Sequence, residues 1–498
     1  MSHLRFIISA AIGAATMAAQ AVTVNVATPG TLSTLVGKSE TQLTVTGKIN
    51  ALDFDYIREL SALRSLDLSG ASVEAYKGDA TATSALEYPA NVLPDCALLG
   101  VPATTLVLPA GIVKIDQGAV GNSAATSIVI PSTVTEIDAR AFSSMPALKQ
   151  VTVPASVKVL GDGAFKDCPL LEKVVILGDL KEIAPNTFAN CEKLSEVSLP
   201  ASVTAIGDGA FAGCTALKQI SLPAQLKTIG DAAFAQSGLA TLDLSGTNVA
   251  EVGARAFAEC KSLTDVTVRK APVFGAGAFS FSESLATPAA TLLGDNAQMA
   301  DFLLYGTATS AANLNESQVS EIGAYALSGL KDSNVALPAT LKHLGDHAME
   351  RMPNISKIDV TAISEVPTLG KSVWEDVDQP GTVLYVPQSM FQAYKDAPQW
   401  QDFNVSEFSA TDITPSDSDA GDGICAAFDG QVLNIESDVD ILSLQVYDVA
   451  GRCLTILNAA GENVSHVSLD TAPLASAVLL VRLLRADGTT PVLKVRRP

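Results

Sequence analysis

Four cysteines recur in one register of the chain, at the spacing of an internal repeat. They are Cys168, Cys191, Cys214 and Cys260. Thiols that lie one repeat apart could form a disulfide or hold a soft metal ion such as zinc. Met145 and Ser237 occupy the same register, and neither can form a disulfide. We therefore predict that the cysteines are small buried side chains that fill a fixed position, with no metal bound.

Histidine is the second residue type that could do chemistry. His343 and His347 are spaced as a metal pair, but the sequence shows no third ligand and both are expected in an exposed turn. After residue 21 the only other histidine is His466, a scarcity that argues against acid–base or triad catalysis. No G-x-S-x-G or H-E-x-x-H motif is present. We predict no catalytic, cofactor-binding or metal-binding residue and no enzyme, although an insertion at 286–316 leaves a catalytic alternative open.

The elements that position these residues are repeats. Residues 148–168, LKQVTVPASVKVLGDGAFKDC, closely match residues 194–214, LSEVSLPASVTAIGDGAFAGC. One bulky apolar residue recurs over twelve turns at steps of 22 or 23 residues, with one step of 25. The series is Leu98, Val120, Phe142, Phe165, Phe188, Phe211, Phe234, Phe257, Phe279, Phe302, Leu327 and Met349. A period of this length, sustained over so many turns, predicts a solenoid.

Within one repeat the pattern predicts a short strand followed by a turn. Val151-Thr152-Val153 alternates, which places Thr152 outside, and Pro154 ends the strand because it lacks a backbone donor. A single repeat cannot bury its apolar residues, so stacked repeats must place equivalent residues in columns. The predicted core column is Phe142, Phe165, Phe188, Phe211, Phe234 and Phe257. The predicted fold class is mainly β: a leucine-rich-repeat solenoid of about 23-residue turns, followed by a small β-sandwich.

The unit V-x-V-P-x-x-V-x-x-I-G-x-x-A-F-x-x-C closely resembles the BspA-type leucine-rich repeat of bacterial surface proteins. The resemblance is best over residues 94–280 and weaker over 317–360. Residues 47–69 resemble the N-terminal part of such proteins from Bacteroidetes, and residues 384–403 resemble the usual end of their array. The aromatic residues of that last segment, Tyr394, Trp400 and Phe403, predict a cap over the last exposed edge. The resemblance implies an adhesin-like surface protein.

The outward strand positions predict a ligand-binding ribbon. Thr152, Ser198, Ser221 and Thr267 share one column, and Lys149 and Lys218 flank it. Val129, Val175 and Asp243 stand between them in the same column. Solenoids commonly bind proteins along such a face. The alternative is that Ser and Thr merely suit a solvent-facing strand. The ribbon has no aromatic platform, so we favour a protein ligand over a glycan.

Composition and the N-terminus indicate an exported protein. The 498 residues carry 32 basic and 53 acidic side chains, and this net charge of −21 argues against nucleic acid and anionic membranes as partners. Arg5, the apolar stretch 6–19 and Ala19-Gln20-Ala21 predict a signal peptide that is cleaved after Ala21. We expect no integral membrane segment after cleavage, and we expect the protein to be secreted or placed on the outer surface of a bacterium.

The chain therefore divides into six predicted segments. They are a signal peptide (1–21), an N-terminal cap with a first degenerate repeat (22–93), the solenoid (94–360), its C-terminal cap (361–407), a polar linker (408–423) and a β-sandwich (424–498). The run 446–452, VYDVAGR, resembles the C-terminal sorting domain of type IX secretion substrates. Residues 476–480, SAVLL, depart from the G-x-Y-like strand usual there. A sorting signal and an accessory domain on the same fold both stay open.

Three functions remain compatible with the sequence. The first is a non-catalytic, cofactor-free binding protein whose partner is a protein on a host or neighbouring cell. The second is a structural protein that self-assembles at the cell surface. The third is a glycan-binding accessory protein.

Overall fold

A computed structural model describes residues 21–78 and 87–408, with the tail residues 424–429, 432–437, 439–447, 453–458, 465–471, 478–486, 490 and 492–496. Nearly all of the predicted signal peptide and linker lie outside these residues. Within the described part, no helix is both long and apolar enough to cross a membrane. The chain forms two compact units, Met1–Leu263 and Thr264–Pro498.

The first unit begins with a parallel sheet and two short helices. A buried carboxylate ties this region together: Asp53 accepts backbone hydrogen bonds from Gly30 (2.6 Å), Leu32 (2.9 Å) and Asn50 (2.9 Å). Asn50 in turn caps the second helix by accepting from the Leu52 amide. The sheet contains Val22–Val26, Gln42–Ile49, Ser65–Val73 and Thr105–Val107; the helices are Leu32–Leu35 and Ala51–Arg58; a hairpin pairs Tyr76–Lys77 with Glu87–Tyr88.

The following turns contribute short strands to two parallel strips, although not every turn adds a strand to the first strip. The first strip contains Gln150–Val153, Lys173–Ile176 and Glu196–Ser198, and further along the chain Thr241–Asp243. The second strip contains Val92–Leu93, Lys114–Ile115, Glu136–Ile137, Val159–Leu160, Glu182–Ile183, Ala205–Ile206, Thr228–Ile229 and Glu251–Val252. Neighbouring strands of a strip come from successive turns, so the register repeats the period of the sequence.

The phenylalanines of this unit form a continuous buried stack. Phe142, Phe165, Phe188, Phe211, Phe234 and Phe257 are all fully buried. Neighbouring rings lie 5.1–5.8 Å apart, at interplanar angles of 4–19°. The backbone beside the rings is tied from turn to turn, for example by the Phe165 amide, which donates to the Thr187 carbonyl at 2.9 Å. This stacking of about 23-residue turns confirms the predicted solenoid.

The second unit continues with the same kind of turn. One set of its strands is Asp265–Thr267, Asn334–Ala336, Lys357–Asp359, Val383–Pro387 and Asn404–Phe408. The other set is Val273–Phe274, Gln298–Met299, Glu321–Ile322, His343–Leu344 and Thr368–Leu369. The helical segments are Ala289–Leu293, Leu314–Glu316, Gln388–Met390 and Phe391–Asp396. Residues 286–316, which look irregular in the sequence, therefore contain a short helix and then a regular turn.

The assignment of Phe302 to the buried column is wrong. Phe302 is 40% exposed, whereas Leu304 is fully buried. The Phe279 amide donates to the Leu303 carbonyl, the bond that elsewhere joins a column phenylalanine to the residue before its equivalent. Leu304 is thus the column residue, and the long step of 25 falls between Phe279 and Leu304. Phe302 instead takes a left-handed turn position, with φ of 56°.

Aromatic side chains pack together at the end of this array. Tyr394 and Trp400 are buried in edge-to-face contact at 5.3 Å, and Trp374 lies 5.1 Å from Trp400. Phe403 meets Trp374 edge-on at 5.0 Å. The Trp400 indole donates to the Pro367 carbonyl at 3.1 Å, so its one polar group is satisfied. The aromatic residues singled out in the sequence thus form one apolar cluster.

The tail folds as two antiparallel sheets. One contains Ile424–Asp429, Val432–Ser437 and His466–Asp470; the other contains Ile441–Tyr447, Cys453–Asn458, Val478–Arg485 and Val492–Arg496. Their inner faces share one buried cluster, which includes Leu433, Ile435, Leu444, Val446 and Val481. Most of the VYDVAGR run, residues 448–452, lies outside the described residues.

Candidate ligand-binding ribbon

The outward face of the first strip is what we call the ribbon. Gln150–Val153 and Lys173–Ile176 pair in parallel register, so that Thr152 stands beside Val175. The next pairing places Val175 beside Ser198. Thr152 and Ser198 are exposed, while Val151 and Val153, which alternate with Thr152, are buried. Strand alternation therefore presents the predicted column to solvent.

Charged residues line the border of the ribbon where its strands begin. Lys149 and Glu172 are exposed, and the Glu172 amide donates to the Lys149 carbonyl at 2.7 Å. Lys173 and Glu196 form an ion pair at 2.6 Å, with side chains 49% and 65% exposed. Pairs this exposed contribute little to stability, about 0–1 kcal/mol. Their charges remain available to a partner.

The sheet opens at Ser221. Residues 218–222 form no strand, although the matching segments of the three preceding turns do. The Ser195 amide donates to the Glu172 carbonyl, just as the Glu172 amide donates to the Lys149 carbonyl. In the next turn, the Ala216 amide donates instead to the Glu192 carbonyl. A cavity of about 720 Å³ lies on this face, lined by Ser198 and Ser221 and also by Val175 and Asp243 of the neighbouring turns.

The opening exposes apolar surface that other turns bury. Val197 and Ile220 are half-buried, while Val151 and Val174, which hold the matching inward position, are only 3% and 0% exposed. Leu222, two residues further along, is half-buried as well. The opening therefore combines an apolar floor with a polar Ser/Thr face.

A shortened turn lies next to the opening. Cys214 and Leu217 are three residues apart, whereas their equivalents Ser237 and Leu239 are two apart. A Cβ on the intervening Gly238 would lie 2.1 Å from the Thr215 carbonyl oxygen, so only glycine fits this close approach. The second strip stays paired through the same turn. The opening is confined to the ribbon.

The remaining ribbon residues are placed less closely together. Lys218 is exposed, and its carbonyl accepts from the Ala240 amide at 3.0 Å. Thr267 is exposed on Asp265–Thr267, which belongs to the second unit. The structure thus gathers Thr152, Ser198 and Ser221 on one unit, and Thr267 lies on the other.

Comparison with known proteins identifies the repeat. The family model described as BspA type leucine rich repeat region (6 copies) matches residues 90–195, 181–291 and 298–396, more than half of the chain. The chain belongs to this family. No curated protein gives a significant match.

Among solved structures, one relative reaches a similarity that shows the same fold for the BspA-type chain. A leucine-rich repeat protein from Bacteroides ovatus is 18% identical with a TM-score of 0.50, and the match covers 73% of this chain and 84% of that one. A leucine rich cell surface protein from Faecalibacterium prausnitzii is 22% identical (TM-score 0.36; 54% and 88% covered). The pneumococcal vaccine antigen PcpA is 17% identical (TM-score 0.36; 62% and 78% covered).

The cysteine register of the BspA-type repeat is internal. Cys168, Cys191, Cys214 and Cys260 are fully buried. Each contacts the carbonyl oxygen of a column phenylalanine 26 residues earlier, at 3.1–3.3 Å. Burial raises the pKa of the Cys214 thiol to about 12, and burial also raises that of Cys260. Protonated, buried thiols are poor nucleophiles and poor metal ligands.

His343 and His347 contact different partners. His343 is half-buried on the strand His343–Leu344 rather than in an exposed turn, and its Nδ1 lies 2.8 Å from the Thr368 hydroxyl. His347 is half-buried rather than exposed, and two carboxylates contact it: its Nδ1 lies 2.9 Å from Glu350 Oε2 and 3.2 Å from Glu375 Oε2. From the sequence we expected no third ligand beside the His343–His347 pair. The structure places two carboxylates, Glu350 and Glu375, beside His347.

An exposed aromatic cluster lies beside His347, and the sequence analysis did not predict it. Tyr325 stacks on His347 and on Phe302 at 4.7 Å in each case, and Tyr305 meets Phe302 edge-on. Phe281 is 44% exposed and meets Tyr305 edge-on at 5.2 Å. Phe281, Phe302 and Tyr325 all have left-handed φ, which is unfavourable for bulky side chains. Aromatic residues at positions that hold Gly or Asn in other turns are the sequence feature that could have revealed the cluster.

Proposed function

We propose that this BspA-type chain is an exported bacterial protein that binds a protein ligand through its ribbon, without catalysis. The opening at Ser221 carries the proposal. An apolar floor inside a polar Ser/Thr face has the anatomy of a protein interface, which combines a desolvated core with a polar rim. The 720 Å³ cavity has room for several side chains of a partner.

We infer that the partner is a protein on a host or neighbouring cell. The predicted signal peptide supports export, and membership of a BspA-type family supports a place at the bacterial surface. The net charge of −21 favours a basic partner surface over nucleic acid or anionic lipid. We further propose that the tail is either a type IX sorting domain or an accessory domain. Mass spectrometry of the exported protein would separate the two, since a sorting signal is expected to be removed.

The test is binding of the full mature chain to an array of extracellular-matrix proteins and glycans. A triple variant carries Thr152→Lys, Ser198→Lys and Ser221→Lys, and a second triple variant carries Glu at the same positions. The control is Val159→Lys, an exposed strand residue of the second strip (51% exposed). We expect a protein hit that both triple variants lose at least tenfold and the control keeps. Loss of binding in only the Lys variant or only the Glu variant would indicate a general electrostatic effect rather than a docking face.

Silence on every spot, with the folded state verified by circular dichroism, would contradict the host-binding proposal. Self-assembly would then be the better account. Light scattering over a range of protein concentrations tests it directly, because assembly raises the apparent mass and the triple variants would suppress the rise.

A second candidate function is glycan binding, which the exposed aromatic cluster favours. Aromatic rings with free edges or faces are the platforms on which sugars commonly pack. Phe281→Ala and Phe302→Ala test this candidate on the same array. A glycan hit that these two variants lose and the ribbon variants keep would establish a separate glycan site. Glycan binding that neither Phe281→Ala nor Phe302→Ala weakens would exclude the aromatic cluster as that site.

A further inference from the structure

We propose that His347, Glu350 and Glu375 bind one divalent transition-metal ion, of the zinc type. The three residues offer ligand atoms that all lie within 4.8 Å of one another. They are the one such group found among the described residues. Imidazole with carboxylate oxygen is a ligand set that zinc accepts.

The distances suit an ion between these atoms. Metal–ligand bonds of about 2.0–2.2 Å place neighbouring ligand atoms about 2.8–3.6 Å apart. His347 Nδ1 lies 2.9 Å from Glu350 Oε2 and 3.2 Å from Glu375 Oε2. An ion could therefore bind with only small side-chain adjustments.

The backbone holds the ligands on two successive turns. The amides of His347, Met349 and Arg351 donate to the carbonyls of Lys371, Val373 and Glu375, at 2.9, 3.1 and 2.8 Å. These bonds fix the turn that carries His347 and Glu350 against the turn that carries Glu375. A site built on hydrogen-bonded turns needs little ordering when the ion binds.

Neighbouring side chains orient the two inner ligands. Tyr325 stacks on the His347 ring at 4.7 Å and so limits its rotation. Ser328 donates to Glu350 Oε1 at 3.2 Å, which leaves Oε2 to face the imidazole. Arg351 Nε lies 3.8 Å from the same Oε1, so its charge sits on the far side of the carboxylate. Such outer contacts commonly tune metal sites.

Burial makes compensation of the Glu350 charge necessary, and Arg351 reaches only its Oε1, at 3.8 Å. The Glu350 side chain is only 5% exposed, whereas the Glu375 side chain is 51% exposed. A buried carboxylate needs a cation beside it. Because Glu375 leaves one side open, the ion would keep a coordination position for water or for a donor atom of a bound ligand. The competing arrangement is a direct contact of the His347 Nδ1 with the two carboxylates, without an ion.

Titration calorimetry of the chelator-treated full mature chain with Zn²⁺ distinguishes the two. We expect one ion per chain, with affinity weakened at least tenfold in His347→Ala, Glu375→Gln and Glu350→Gln. His343→Ala is the matched control and should change affinity less than twofold. Co²⁺ should give a visible absorption band that His347→Ala abolishes.

Absence of stoichiometric binding would overturn the proposal and leave the direct contact between His347 and the carboxylates. So would binding that His347→Ala does not weaken. Glu375→Gln alters an exposed residue, so its result stands even if a change at buried Glu350 impairs folding.

Discussion

Truncation of a mid-column phenylalanine tests what holds the solenoid together. Phe188 is fully buried, with Phe165 at 5.8 Å and Phe211 at 5.5 Å. Phe188→Ala removes about 100 Å² of buried apolar surface, which at 25 cal/mol per Å² costs about 2.5 kcal/mol. The two lost ring contacts add about 0.5–1.5 kcal/mol each. We expect the free energy of unfolding to fall by about 4 kcal/mol, in the range usual for such substitutions.

Chemical denaturation followed by circular dichroism measures this change. Tryptophan fluorescence is unsuitable, because Trp374 and Trp400 both lie in the second unit. Phe188→Leu should cost only about 1–2 kcal/mol, since leucine fills this position elsewhere. Phe142→Ala should cost about 1 kcal/mol less than Phe188→Ala, because Phe142 has one stacked ring neighbour. A loss below 1 kcal/mol for Phe188→Ala, or a larger loss for Phe142→Ala, would refute the stacking argument.

Three further substitutions probe other parts of the account. Asp53→Ala leaves three backbone amides without their acceptor, so thermal unfolding should show that the free energy of unfolding falls by about 3–5 kcal/mol. A fall of less than about 1 kcal/mol would show that the carboxylate does not stabilise this region. Trp400→Ala should destabilise the second unit by about 3–5 kcal/mol in fluorescence-detected unfolding through the remaining Trp374; an unchanged midpoint would contradict the packing described. Because the pKa of Cys214 is raised to about 12, the folded state retains a proton that the unfolded chain releases above about pH 8.5. The stability that the thiol contributes is therefore intact below about pH 8.5 and is lost as pH rises towards 12. Between pH 8 and pH 10, Cys214→Ser should therefore lose about 2 kcal/mol less stability than the natural chain in urea titrations, and equal losses would exclude the thiol as the cause.

The sequence predicts the solenoid well because its period reports the fold directly. Equivalent residues must stack, so the spacing of Phe142 to Phe257 determines both the column and the strand register. Phe302 was misassigned because spacing alone cannot separate it from Leu304 when a turn gains two residues. The backbone bond from Phe279 to Leu303 and the burial of Leu304 decide between them.

The candidate sites were harder to predict because they depend on contacts between turns. Thr152 and Ser198 follow from strand alternation, but the opening at Ser221 depends on which amides pair. The one-residue shortening at Gly238 was the available clue. Glu375 joins His347 from the next turn, 28 residues along the chain, which exceeds the usual step and hides the pairing.

The central claim is that the ribbon of the first unit is the docking face. Hydrogen–deuterium exchange of the mature chain, with and without the protein hit from the array, tests it most directly. We predict slower exchange at residues 195–198 and 218–222 in the complex, because a bound partner would cover the amides around the opening. Residues 205–206 and 228–229 of the second strip should exchange unchanged. Protection confined to the second strip, or to the turns around His347, would contradict the claim.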